Sequence, residues 1–354
     1  MILFIGEQSK GYFIEDCTDE EITYSGYSSS ILGLKNLCLK DKYTAIIFDV
    51  EQFIDNYKVI ADEVEIIKNV SNSNIIIFAE GYSIKSEIVQ ALVSKGITNF
   101  ILAPLLTNKK QQFIASLNNK NNIIDAIASQ TALQTQEQGS TVHKHSNTPY
   151  TTIAVAGCCS RIGTTTQAIQ LVKYLISQGY KACYVEMNNT GFVDNVLRSY
   201  EVTKYDDNIG KLTYMGIDMF NKKENISEIL QLGYDYFVYD NGSFDSASFN
   251  SISFFEKNFC VAVCGSKPCE LNKTEQLIAR TYKSDCFYLF SFCHENEQKD
   301  VLELMQEKKN KTGFTYYTPD YFTYSSDTHD LYKKIVFVDR KTVKKKNKIF
   351  AFSR

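Results

Sequence analysis

The stretch Ile153–Thr166, IAVAGCCSRIGTTT, decides the fold. Its first residues, Ile153 to Ala156, form an apolar run of the kind buried in a parallel strand. A turn follows, then Gly163-Thr164-Thr165-Thr166. Apolar residues at helical spacing come next: Ala168, Ile169, Leu171, Val172, Leu175 and Ile176. Strand, loop and helix N-terminus make an anion site, because free backbone N–H groups converge there. The phosphate-loop pattern is G-x-x-x-x-G-K-[ST]. Cys158 stands at its first glycine, Gly163 at the second, Thr164 at the lysine and Thr165 at the magnesium-binding hydroxyl. The residues expected against a nucleotide's phosphates are therefore Cys158, Ser160, Arg161, Ile162, Gly163, Thr164, Thr165 and Thr166. The lysine that neutralises the β- and γ-phosphates is missing. Arg161 is the one cation in the loop and the candidate to supply that missing charge; the alternative is a solvated loop arginine or a group facing a partner subunit.

Working outward, Lys181–Asn188, KACYVEMN, is a second strand that ends in Glu186 and Asn188. Tyr234–Gly242, YDYFVYDNG, is a third and ends in Asp240. Acids at the carboxyl ends of parallel strands beside a phosphate loop are where Mg²⁺ and an attacking water are held. Glu186 and Asp240 are thus the candidate catalytic residues, and Thr165 with Asp240 the candidate Mg²⁺ ligands; Glu186 reads equally as an ordinary strand-end carboxylate. Phe259–Gly265 and Cys286–Phe292 are further buried strands, separated by helical patterns over 271–282 and 295–308. This alternation implies a parallel sheet with right-handed crossovers.

The order of these segments resembles the MinD/ParA superfamily of deviant Walker-type ATPases, and within it the CpaE/TadZ-like proteins of pilus assembly. The resemblance covers about Thr151–Val336. That family's loop reads K-G-G-x-G-K-[ST]. Its signature lysine falls on Cys159, its two glycines on Ser160 and Arg161, its second lysine on Thr164, and its magnesium-binding hydroxyl on Thr165. Its V-D-x-D strand end falls on Val185-Glu186-Met187-Asn188, and its YDYIIID strand matches Tyr234–Asp240. Its late I-P-Y-D turn is similar to Thr318-Pro319-Asp320-Tyr321. Ser291 or Phe292 lies where the family has its adenine-reading Asn. The departures fall on catalytic positions while the scaffold is kept. The resemblance implies ATP and Mg²⁺ as cofactors and a homodimer; the departures imply little or no hydrolysis.

The N-terminal part is a second doubly wound pattern. Apolar strands lie at Met1–Gly6, Tyr43–Val50, Asn74–Ala79 and Gly96–Pro104, with an amphipathic helix before the third and a helix over 84–94. This resembles a receiver domain of the response-regulator type over about residues 1–125. A phosphorylatable receiver needs paired acids, an aspartate nucleophile, a hydroxyl residue and a lysine before proline, to neutralise developing charge. Gly6-Glu7 stands where two acids belong, Ala79 replaces the hydroxyl and Ala103 the lysine. Asp49 alone remains, a pseudo-phosphoacceptor or a leftover strand-end acid. The resemblance implies a pseudoreceiver that acts as an interaction module.

The 354 residues suit two such α/β domains, each large enough for its own core. The expected organisation is two doubly wound parallel-sheet domains: a receiver-like one over 1–125, a linker over 126–150 and a P-loop domain over 151–336. A basic tail over 337–354 completes it. The linker belongs to a polar stretch, Asn118–Pro149, whose His143-x-His145 pair reads as part of a flexible connection. No apolar run approaches the about 18 residues a span requires, and the N-terminus lacks a basic signal-peptide region. The ten cysteines then belong to a reducing compartment, as small hydrophobes in strands. These features imply a cytoplasmic protein.

Charge is uneven. The chain carries −3, but residues 333–354 hold nine basic groups and one acid, +8 locally against −11 for the remainder. With Ile349, Phe350 and Phe352, residues 340–354 suit an anionic membrane surface, which would place the protein at the inner face of the cell membrane; a solubilising tail is the alternative. Three functional readings stand. One is a nucleotide-responsive positioning factor for a pilus or secretion machine. Another is a pseudo-ATPase scaffold without nucleotide. The last is a ParA-like DNA partition or transfer factor, which the acidic body disfavours.

Overall fold

The computed structural model describes residues 1–118, 150–202, 204–318 and 320–336. The linker expected over 126–150, Tyr150 apart, and the tail over 337–354 lie outside them.

Residues 2–101 supply the strands of a first sheet: β1 (Ile2–Ile5), β2 (Ile22–Tyr24), β3 (Ala45–Asp49), β4 (Asn74–Phe78) and β5 (Asn99–Ile101). All pair in parallel, in the order β2-β1-β3-β4-β5, the flavodoxin-like doubly wound order. The central strands are apolar throughout because both faces are covered. Leu3, Ile5, Ile46 and Phe48 pack on α1 (Tyr57–Val70) and α2 (Glu87–Ser94). Ile2, Phe4, Ala45 and Ile47 pack with Phe113 of α3 (Leu106–Leu117). Helix α1 buries Ile60, Ala61, Val64 and Ile67, one stripe of a 3.6-residue period, and Asn56 caps it by accepting from the Lys58 amide.

The second sheet has nine strands: β6 (Thr151–Gly157), β7 (Ala182–Glu186), β8 (Lys204–Asp206), β9 (Lys211–Tyr214), β10 (Ile217–Phe220), β11 (Tyr236–Ser243), β12 (Phe259–Gly265), β13 (Cys286–Ser291) and β14 (Thr312–Thr315). Their order is β14-β13-β12-β6-β11-β7-β10-β9-β8. Seven strands, β14 through β10, run parallel. The expected parallel sheet carries an addition at the other edge, where β9 and β8 are antiparallel. The cause is local: Met215-Gly216 form a two-residue turn with φ of 45° and 72°, and a left-handed pair of this kind matches strand twist and closes a tight hairpin.

The helices of two turns or more here are α4 (Thr164–Ser177), α5 (Phe192–Ser199), α6 (Pro268–Thr281), α7 (Glu295–Leu304) and α8 (His329–Val336). Helix α4 is buried almost all round, Gln170 and Lys173 included. A helix with that burial is covered on more than its sheet-facing side. The second cover is the first unit, and one apolar cluster runs continuously from Leu3 through α4 to Val336. Among the described residues no helix is long and apolar enough to cross a membrane.

Candidate functional site

The loop between β6 and α4 turns back tightly on the end of its strand. A Cβ on Gly157 would lie 2.1 Å from Thr164 Oγ1 and 2.6 Å from Ile162 Cγ2, so only glycine fits there. Two left-handed residues make the return, Arg161 at φ 64° and Gly163 at φ 97°. Arg161 thus holds a glycine-type conformation without being glycine, which costs about 1–2 kcal/mol. The Cys158 amide donates to Val263 O at 2.8 Å and ties the loop to β12. Cys158, Ile162 and Thr164 are buried, Thr165 and Thr166 half-buried, and Ser160 and Arg161 exposed.

Helix α4 carries Thr165 to Asp240, where the regular pairing of β11 with β6 breaks in a bulge. The Thr165 hydroxyl donates to Asp240 Oδ2 at 2.6 Å, the Tyr184 hydroxyl donates to the same oxygen at 2.8 Å, and the Gly242 amide donates to Oδ1 at 2.9 Å. Asp240 is wholly buried, and burial raises its carboxyl above the usual range against those three donors. The expected Mg²⁺ pair, Thr165 and Asp240, is therefore brought together. A hydroxyl and a carboxylate are the oxygen types a hard cation takes, and Thr165 and Asp240 would hold Mg²⁺ in place of the bond they now make to each other. Among the described residues no group of three or more His, Cys, Asp or Glu side chains is placed to hold a metal by itself.

Glu186 is the register neighbour of Asp240 across the β7–β11 pair. Its carboxylate is differently employed. It accepts from the Phe192 amide at 2.7 Å, the Val193 amide at 3.1 Å and the Thr190 hydroxyl at 3.0 Å. It thereby satisfies the first free N–H groups of α5, where a negative charge also meets the positive end of the helix. Glu186 is 3% exposed, so its oxygens serve the helix rather than solvent.

The side of the loop at Cys159 lies near carboxylates and not beside a lysine. Cys159 stands at the signature lysine, and its thiol is pushed up to about 12 by burial first, then by Cys158, Glu270 and Asp245. Two carboxylates thus influence a position where a phosphate site would place a cation. The two thiol sulfurs lie 3.7 Å apart. Near the other end of the loop, Ser291 accepts from the Thr315 hydroxyl at 3.3 Å, and its Oγ would lie 3.6 Å from a Cβ on Gly163. The late turn is an Asx turn: Asp320 accepts from the Phe322 amide at 3.0 Å and the Thr323 hydroxyl at 2.8 Å. Pro319 lies outside the described residues.

Asp49 ends β3, far in sequence from this loop. It is 5% exposed and shares a small cavity with Lys10, Glu51, Phe78, Glu80, Tyr324 and Ser326. It accepts from the Glu51 amide at 3.2 Å. Burial pushes its carboxyl up to about 7, Lys10 opposing and Glu51 and Glu80 adding to the rise.

Sequence reasoning missed Tyr184, which sits in a strand whose residues are all apolar or buried and whose hydroxyl could be assigned only once β7 was set beside β11. It also missed Gln170 and Lys173. Their signal was present: a glutamine and a lysine inside the apolar helix AIQLVKYLI.

No family model matches this chain. No curated protein matches it. Solved structures do. The MinD cell division protein of Aquifex aeolicus is similar over 55% of this chain and 91% of its own, at 13% identity and a TM-score of 0.37. A plasmid partition protein from Borrelia burgdorferi is similar over 53% of this chain and 97% of its own, at 15% identity and 0.37. The septum site-determining protein MinD of Pyrococcus horikoshii OT3, complexed with Mg-ADP, is similar over 53% and 96%, at 13% identity and 0.33. These likenesses are of fold, over about half of the chain.

Proposed function

We propose that this protein is a positioning or assembly factor whose P-loop keeps the magnesium side of a nucleotide site and lacks its phosphate-neutralising side. It binds Mg·ATP weakly and hydrolyses it slowly or not at all. The observation that carries this reading is the Thr165–Asp240 contact of 2.6 Å at a buried strand-end carboxylate, with Gly157 permitting the tight loop in front of it. The absence of lysine at positions 159 and 164 supports the lack of turnover, since loss of one preorganised charge-stabilising donor commonly costs about 10²–10³ in rate. By the sequence resemblance the working form is a cytoplasmic homodimer that serves a pilus or secretion machine. Residues 340–354 add an affinity for anionic membrane.

A second reading, an interaction scaffold without nucleotide, is favoured by the acidic surroundings of Cys159 and by the capping role of Glu186. Calorimetric titration of Mg·ATP and Mg·ADP into the full chain separates the two. The first reading expects saturable binding that Thr165→Ala weakens by about 1–3 kcal/mol, a lost charge-assisted hydrogen bond. Binding that Thr165→Ala leaves unchanged would remove this site from the reading. No binding by the native chain would leave the scaffold.

A further inference from the structure

The strand ends of the first sheet, the face where an α/β unit of this topology ordinarily offers its site, are covered by the second unit. Lys173 on α4 reaches Glu51 at 3.2 Å, and both side chains are only 7% exposed. The same carboxylate accepts from the Tyr324 amide at 3.1 Å and from the Tyr82 hydroxyl. Burial raises the Glu51 carboxyl, but Lys173, Tyr82 and the Tyr324 amide outweigh it and leave it below the usual range. Glu80 accepts from Ser326 of the second unit and pairs with Lys109 at 2.9 Å.

Backbones also meet across the junction. The Ser83 amide donates to Ser177 O at 2.6 Å, and Gln178 Nε2 donates to Gly81 O at 3.0 Å. Two glycines permit that approach, one from each unit. A Cβ on Gly81 would lie 2.7 Å from the Tyr324 ring, and one on Gly179 would lie 2.6 Å from Lys85 O. The covering loop is itself fixed to α4, because Gln170 donates to Tyr321 O and Thr323 O and accepts from the Ser325 amide, at 3.0, 2.7 and 3.1 Å.

We propose that the acidic strand-end pocket of the first unit is a docking socket, and that its partner is the second unit of the same chain, through Lys173 and the loop Asp320–Thr328. The pocket that would receive a phosphoryl group in a signalling receiver is committed to holding the P-loop helix. The two units therefore act as one body, and Asp49 is closed to phosphodonors. The inference stands whether or not nucleotide binds.

The physical basis is the asymmetry of a buried ion pair. Removing one partner leaves the other charge buried and uncompensated, whereas removing both does not. The full-length chain is compared with Lys173→Met, with Glu51→Gln and with the double variant, by thermal unfolding and native amide exchange. Lys173→Met is expected to lower the midpoint by about 6–12 °C, and the double variant to recover part of that loss. In Lys173→Met the Ser83 and Tyr324 amides, which donate across the junction, are expected to exchange at least about tenfold faster relative to the Ile47 amide inside the first sheet. Ser326→Ala, at a half-buried loop residue, keeps the test usable if Lys173→Met fails to fold; it should raise Tyr324 exchange alone, in the same direction. Additive losses in the double variant, Ser83 and Tyr324 amides that exchange no differently from wild type in Lys173→Met, or a Tyr324 amide that exchanges no differently in Ser326→Ala, overturn the socket. So does a stoichiometric phosphoryl adduct on Asp49 in the native chain after incubation with acetyl phosphate.

Discussion

Asp49 and Asp240 are the same residue in the same setting. Asp49 ends β3 and Asp240 is the last residue of β11 in regular register before a bulge, both in central parallel strands; each is buried, and burial raises each carboxyl. They differ in what surrounds them. Asp240 is served by a threonine and a tyrosine hydroxyl at Oδ2 and a glycine amide at Oδ1, so both of its oxygens meet donors. Asp49 accepts from one amide, and its other neighbours include two carboxylates, Glu51 and Glu80, beneath a loop from the other unit. A strand-end aspartate is therefore not a site by position. The donors that reach it, and what covers it, decide whether it holds a ligand, a cation or a neighbouring domain.

The comparison can be broken at Asp240 with the largest effect. Asp240→Ala leaves two hydroxyls and an amide without their acceptor in a buried place. It should cost about 3 kcal/mol or more in urea unfolding, with Asp240→Asn closer to wild type. Equal stability of Asp240→Ala and wild type would mean that these donors find other partners.

Asp49 should behave in the opposite sense. Its folded pKa, about 7, lies above the roughly 4 of an unfolded aspartate. Between those values the folded protein holds a proton that the unfolded chain has lost, so this residue's contribution to stability falls as pH rises through that window. Asp49→Asn removes the ionisation and keeps the acceptor for the Glu51 amide. The variant should be more stable than wild type at pH 8, by about 1 kcal/mol or more, and the difference should shrink toward pH 4. A difference independent of pH would show that Asp49 is not buried as an acid.

Much of the scaffold was legible because parallel strands buried on both faces are long apolar runs, and ILFI, AIIFD, YFVYD and FCVAVCG leave little choice. The position of Asp240 followed from its place at a strand end. The antiparallel edge was not read: β8 is exposed and charged, and the Met215-Gly216 turn lacks the Asn-Gly form that marks such hairpins. The capping of α5 by Glu186 was hidden because a carboxylate at a strand end looks the same whether it faces solvent or the start of the next helix. The Glu51–Lys173 pair joins residues 122 positions apart in sequence and in different units, which no periodicity reports.

The central claim, a loop that keeps the magnesium side and lacks the phosphate cation, is tested most directly by titrating Mg·ATP into the native chain and into Thr164→Lys. The account predicts weak binding by the native chain and binding tightened about 10–100-fold in the variant, the worth of one charge-assisted contact to phosphate. Equal affinity in the two proteins, or tight binding and turnover by the native chain at about 1 s⁻¹ or more, would contradict it.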